Sequence, residues 1–191
     1  MIRDLENLMY LMSDFFLAPV LILLALLFIY SLFAIGELAC QAWQRRRNKS
    51  HYLRALQSGE KENGAVDLKG YPLVSLAREN PAVSRDELDV AAMEEIEGVR
   101  MVSRIAPMLG LIATMVPMGP ALKSLADGDI QGISENLIVA FSAVIFGLVV
   151  ASITFWIASV RKRWLAAELV AIGRTMEKWG QEAGERLREA A

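Results

Sequence analysis

Apolar positions along this chain gather into three long blocks, each ended by charge. The first runs from Leu17 to Leu38 and carries one charge, Glu37, near its end. The second, Ile105 to Leu122, and the third, Leu137 to Val160, carry none. A helix needs about 20 apolar residues to cross a hydrocarbon core about 30 Å thick, so each block predicts a membrane span. The third block also has a stripe of small residues: Ala140, Ala143, Gly147, Ala151, Thr154 and Ala158. Lipid gives helices little hydrophobic reason to associate, and such stripes mark where two helices pack closely.

The polar stretches between the blocks carry their own signals. Residues 1–16 form an N-terminal segment in which 1–14 mix acids with Ile2, Leu5, Leu8 or Met9, and Met12 at rough helical spacing, which predicts an amphipathic helix on the outer face of the membrane. Asp4, Glu6 and Asp14 argue against a signal peptide, whose leading region is basic. Leu38-Ala39-Cys40 faintly resembles a lipoprotein cleavage box, which Glu37 fits badly. Residues 39–104 read as a loop followed by a stalk. Ser58-Gly59, Asn63-Gly64, Gly70 and Tyr71-Pro72 are turn signals, and 44–83 has too few apolar residues for an independent domain. Asn80-Pro81 closes that stretch, and Ser84-Arg85-Asp86-Glu87 has the spacing of a capping box.

From there Leu88, Ala92, Ile96, Val99 and Val102 lead without a breaker into the second span. That predicts a helix of about 40 residues and about 60 Å, half of it outside the lipid as an amphipathic stalk. Residues 123–136 read as a short solvated turn around Asp127-Gly128-Asp129, with Ser134 and Asn136 as caps for the third span. After Arg161, Lys162 and Arg163, a seam of Leu165, Leu169, Ile172, Met176, Trp179 and Ala183 has coiled-coil spacing. Gly173, Gly180 and Gly184 weaken it, so packing against the Ser84 stalk is an equally good reading. The basic clusters follow spans one and three, which predicts an outer N-terminus and a cytoplasmic C-terminus.

Composition narrows the function. The chain has 191 residues, of which 54% are apolar, too greasy for an ordinary soluble domain. A net charge of −2 gives no electrostatic case for nucleic acid. Cys40 and His51 are the only residues of their types, which disfavours disulfides, thiolate or histidine metal sites and most enzyme chemistry. With Glu37, they read as structural or interfacial residues. An ionisable group inside a span is a functional candidate by default, and spans two and three have none. They do carry a file of small and polar residues on span two: Ser103, Pro107, Gly110 and Thr114, with Ala121 beyond. Pro107, Pro117 and Pro120 remove backbone donors and free carbonyls. On span three, Ser142 lies opposite the small stripe and Thr154 on it. Membrane Ser and Thr commonly bond back to their own helix, and that plain reading stands beside a pore-lining one.

Ala106-Pro-Met-Leu-Gly-Leu-Ile-Ala-Thr114 resembles the APLLGLLGT stretch of the MotA/TolQ/ExbB proton-channel family. The stretches Gly128-Asp-Ile-Gln-Gly-Ile-Ser-Glu-Asn-Leu and Ala140-Phe-Ser-Ala-Val-Ile-Phe-Gly-Leu148 resemble its third span. The resemblance covers about residues 90–160. It implies an all-α integral membrane protein with three transmembrane helices, the second and third extended into the cytoplasm, forming a pentameric ring in the inner membrane. Such a ring surrounds a smaller partner of the ExbD/TolR/MotB kind, which brings the membrane aspartate, and the proton motive force drives work such as envelope transport.

Thr114 matches the family's pore-facing threonine. Val144 stands where the family has another threonine three residues before Gly147, which moves that polar position to Ser142 or removes it. Ala113 and Pro117 replace family glycines. The loops are short for a flagellar stator, which favours the ExbB/TolQ side or another branch that energises a different envelope or transport process. The pore-lining or partner-facing set is thus Thr114, Ser103, Pro107, Gly110, Ala121, Ser142, Val144, Gly147, Ala151 and Thr154, with no cofactor and no metal. The alternative to an energy-coupling subunit is a non-conducting membrane scaffold for a transporter or enzyme complex.

Overall fold

A computed structural model describes the backbone of residues 2–57, 70–80 and 83–189, and the side chains of 15–53, 70–80 and 83–175. The described residues form five helices: α1 Ile2–Arg47, α2 Lys49–Gln57, α3 Pro72–Glu79, α4 Arg85–Ala126 and α5 Ile130–Glu189. Three are long and apolar enough to cross a membrane, over Phe15–Arg47, Arg85–Ala126 and Ile130–Thr175. The leader joins the first span without a break, since α1 runs from Ile2 through Pro19 to Arg47. Its side chains before Phe15 lie outside the described residues, as do the turn signals at 58–59 and 63–64.

The helix starts follow from local chemistry. The capping box forms as the sequence predicts: Glu87 N donates to Ser84 Oγ (3.2 Å) and Ser84 N donates to Glu87 Oε2 (2.8 Å). Two otherwise orphaned amides are satisfied reciprocally at the head of α4. The start of α5 differs from expectation. Gly128 turns the chain at φ +73, and Asp129 Oδ1 accepts from Gly132 N (3.1 Å), so α5 begins four residues before Ser134. Ser134 and Asn136 are therefore not caps. They sit inside the helix and donate back to Ile130 O (3.1 Å) and Gly132 O (2.8 Å). An aspartate one residue before a helix is the stronger cap, because its carboxylate also faces the positive end of the helix dipole.

The chain divides into two compact units, each with its own core. The first contains Met1–Ile35 and Val99–Ile157. Here Leu24 of α1, Ala113 of α4 and Ala143 of α5 form a buried cluster, with Val20, Leu21 and Leu109 against it. Phe28 meets Phe146 edge-on, with ring centroids 5.3 Å apart. Ser31 is fully buried, and its hydroxyl donates to Phe28 O (2.7 Å), so it leaves no unpaired polar group in the apolar layer.

The second unit contains Gly36–Gly98 and Ala158–Ala191. Gly70 adopts φ +99 within about one side chain's thickness of α1: a Cβ there would lie 3.2 Å from Arg45 N. That turn delivers Tyr71 and Pro72, and a proline at the first helical position suits α3 because its missing N–H would be unpaired anyway. Tyr71, Leu73 and Val74 then join Val83, just before α4, with Leu88, Ala92 and Ile96 of α4 and Leu165 and Ile172 of α5 in one core. Segment 44–83 thus contributes to a core it could not build alone. Leu165 and Ile172 of the expected α5 seam are buried and Leu169 packs at its edge. The side chains of Met176, Trp179 and Ala183 lie outside the described residues.

A buried ion pair crosses this second core. Arg45 Nη2 donates to Glu168 Oε1, and Glu168 Oε2 accepts from Leu73 N (3.1 Å). The Arg45 guanidinium lies 4.7 Å from the Tyr71 ring centroid and 4.8 Å from that of Trp164. Tyr71 OH donates to Arg45 O (3.2 Å), and Tyr52 stacks on Tyr71 with centroids 4.2 Å apart. Burial pushes both phenols above their ordinary range, against the opposing pull of Arg45. Tyr71 therefore stays a neutral donor. A charge this deeply enclosed is tolerable only with its partner and hydrogen bonds in place.

Candidate functional site

The residues of interest lie where α4 and α5 pack inside the first unit. Both helices bury small side chains there: Ala106 and Ala113 on α4, Ala140 and Ala143 on α5, each at most 4% exposed. Between them Gly110 and Gly147 bring the backbones together. A Cβ on Gly147 would stand 2.8 Å from Ala106 O and 3.1 Å from Gly110 Cα, and one on Gly110 would stand 3.4 Å from Val144 Cα. Such an approach is open only to glycine at 147, and it maximises dispersion contact in a setting without water to drive burial.

The ten residues singled out by sequence divide by their place around this contact. Gly110, Ala121, Gly147 and Thr154 are buried against the chain's own helices. Ser103, Pro107, Thr114, Val144 and Ala151 lie at its margin, partly exposed, and Ser142 is exposed. The contact itself brings together Gly110, Val144 and Gly147. The small stripe on α5 also shifts register: Val150 and Ile157 are fully buried, while Ala151 and Ala158 are only partly so.

The hydroxyls are engaged locally. Thr114 Oγ1 donates to Leu111 O (2.7 Å), and Ser103 Oγ donates to Arg100 O (2.7 Å). Thr154 Oγ1 faces Val150 O (2.8 Å) and Ala151 O (3.2 Å). Each hydroxyl still has acceptor lone pairs, and Thr114, partly exposed, can turn its own toward a neighbouring group. Pro107, Pro117 and Pro120 lie within α4, so the carbonyls of Ser103, Ala113 and Val116 lack their usual amide donors. Between Ile105 and Leu122, and between Leu137 and Val160, no side chain ionises. This arrangement can orient water or a neighbouring carboxyl, but it cannot itself take up and release a proton near neutral pH.

Sequence reading missed the Arg45–Glu168 pair and the pairing of Glu37, whose Oε1 lies 2.9 Å from Arg161 Nη2. A signal was present. Glu168 falls between Leu165 and Ile172 on the buried stripe of α5, and a charge on an apolar stripe demands a buried partner.

A family profile covering residues 71–173, more than half of the chain, is that of the MotA/TolQ/ExbB proton channel family. The chain belongs to this family. The matched region opens at Tyr71 and closes just after Ile172, so it encloses every buried residue of the second core as well as the α4–α5 contact. Neither curated proteins nor solved structures give a significant match. The protein is accordingly a multi-pass membrane protein with the general role of a proton-channel subunit, in a family whose members assemble and associate with partners.

Proposed function

We propose that this chain is the ring-forming subunit of a proton-driven energy-coupling complex in the inner membrane, with its N-terminus outside and its C-terminus in the cytoplasm. Five copies surround the transmembrane helices of an ExbD/TolR-like partner. The partner supplies the aspartate that carries the proton, and flow down the gradient moves partner against ring to drive envelope transport or related work. The chain contributes no catalytic residues.

The observation that carries this reading is the chemistry of α4 and α5: they pack tightly and present hydroxyl and carbonyl oxygens but no ionisable group within the charge-free spans. A proton channel of this kind needs its carboxyl from another chain. Basic clusters at Arg45–Arg47 and Arg161–Arg163 support the orientation. Thr114, at the open margin, would hydrogen-bond the partner's carboxyl or a water beside it.

One observation favours a second reading, the non-conducting scaffold: the Thr114 hydroxyl already has an acceptor in Leu111 O. Native mass spectrometry of the complex, co-expressed with its genomic neighbours, gives five copies enclosing one or two foreign helices if the ring reading holds. In liposomes carrying that complex, Thr114→Val lowers proton flux about tenfold or more, on the scale of a hydrogen bond to a charged group. Absence of flux from the wild-type complex, or a dimer without a central partner, leaves the scaffold, whereas a flux that Thr114→Val does not change takes Thr114 out of the proton path.

A further inference from the structure

Among the described residues of the second unit, three buried donors make no hydrogen bond: Arg45 Nε, Arg161 Nε and Arg161 Nη2. Arg161 is 6% exposed, so water does not reach it freely. Its Nη2 lies 2.9 Å from Glu37 Oε1 without hydrogen-bonding geometry, and Glu37 itself is half exposed. Arg45 is bound to Glu168 through Nη2, which leaves its Nε over. Both arginines line one small cavity, with Gln41, Glu95, Pro72, Trp164 and Leu165. The cavity is small, with room for about one oxygen atom.

Buried guanidinium donors left unpaired are costly, and all three missing partners must be acceptors. From this we infer that the cavity receives an oxygen of a phosphate-bearing anion, in the first place the headgroup phosphate of an anionic phospholipid. Charge supports the choice over water alone. At the cavity Arg45 and Arg161 are offset by Glu95, Glu37 and Glu168, and it is the exposed Arg46, Arg47, Lys162 and Arg163 on the same two helix segments that make the surroundings net positive. Depth supports the lipid. Arg161 follows directly on the charge-free run that ends at Val160, and Trp43 and Trp164 flank the two arginines in sequence. Basic residues beside tryptophan at the end of a span are the composition of the headgroup layer. Arginine also suits the task through its planar fork of donors, which matches phosphate oxygens. The inference needs only that the chain spans the membrane, and it stands whether or not the complex conducts.

The test is native mass spectrometry of the full-length complex released from nanodiscs of equal phosphatidylglycerol and phosphatidylcholine. Retention of phosphatidylglycerol over phosphatidylcholine by about tenfold is expected. Arg161→Gln abolishes that preference, while Arg47→Gln, an exposed neighbour outside the cavity, keeps it. A parallel titration with inorganic phosphate in a neutral detergent separates the sources. Binding of phosphate without lipid preference, lost in Arg161→Gln, keeps the anion site and makes the free anion its occupant. Equal retention of both lipids by the wild-type complex, with no phosphate bound, overturns the inference and leaves a water in the cavity. That wild-type arm decides the matter even if Arg161→Gln fails to fold.

Discussion

Two glycines at one helix contact carry unequal weight. An added methyl on Gly147 would meet Ala106 O at 2.8 Å and Gly110 Cα at 3.1 Å, and both obstacles are backbone. The helices must separate to admit it, at about 1–3 kcal/mol for overpacking. On Gly110 the same methyl finds its nearest atom at 3.4 Å, an ordinary contact. Thermal denaturation in detergent is expected to place Gly147→Ala well below wild type and Gly110→Ala close to it. Equal midpoints would show that the α4–α5 contact is looser than these distances. Glu168 offers a contrast of charge instead of volume. Glu168→Ala strands Arg45 and Leu73 N in the second core, and removal of one partner of a buried pair costs about 3–5 kcal/mol. Glu168→Gln keeps an acceptor for Leu73 N and is expected to lose less. If both variants melt as wild type does, Glu168 is not holding α1 and α3 against α5.

Among the helices, α4 announces itself at its first residue. Ser84→Ala removes one half of the reciprocal cap and is expected to cost about 1 kcal/mol. The loss should appear as faster amide exchange confined to the first turn, around Asp86–Leu88, with the turns beyond Ala92 unchanged. Uniformly faster exchange would mean that the cap governs more than its own turn. This start, like the three spans, was legible because its signal is local: a side chain three residues from its partner, or an apolar run longer than any soluble helix needs. Helix α3 was not. Pro72–Glu79 is eight residues long, and the residues that bury Leu73 and Val74 come from α4 and from α5 nearly a hundred positions onward. No window of sequence holds both sides of that core. The α4–α5 contact was half legible. Its small residues stood out, but the helical phase that buries Val150 and Ile157 in place of Ala151 and Ala158 is set by the facing helix. Likewise Asp129 took the cap from Ser134 because the turn at Gly128 fixed where α5 could begin.

The two cores and the three spans together describe a chain that is finished in its interior and unfinished on its faces. Met108, Leu111, Met115 and Leu122 on α4, and Phe141, Ile145 and Leu148 on α5, are exposed, at home against lipid or another helix. The close seating of Gly147 on Ala106 and Gly110 has a further meaning for the cell. Nothing as large as a water molecule passes between backbones at such a distance, so no conduit runs through that contact in a single copy. A subunit made ahead of its partners is therefore expected to pass no protons between α4 and α5 at this point, and on the proposed function a route opens only on assembly. Production of this chain alone should leave the membrane potential of the host intact, as read by a voltage-sensitive dye, and a collapse under those conditions would place a leak within the lone chain. An intact potential would mean that surplus synthesis is harmless and that, on the proposed function, the hazard of an open proton path is confined to the assembled complex.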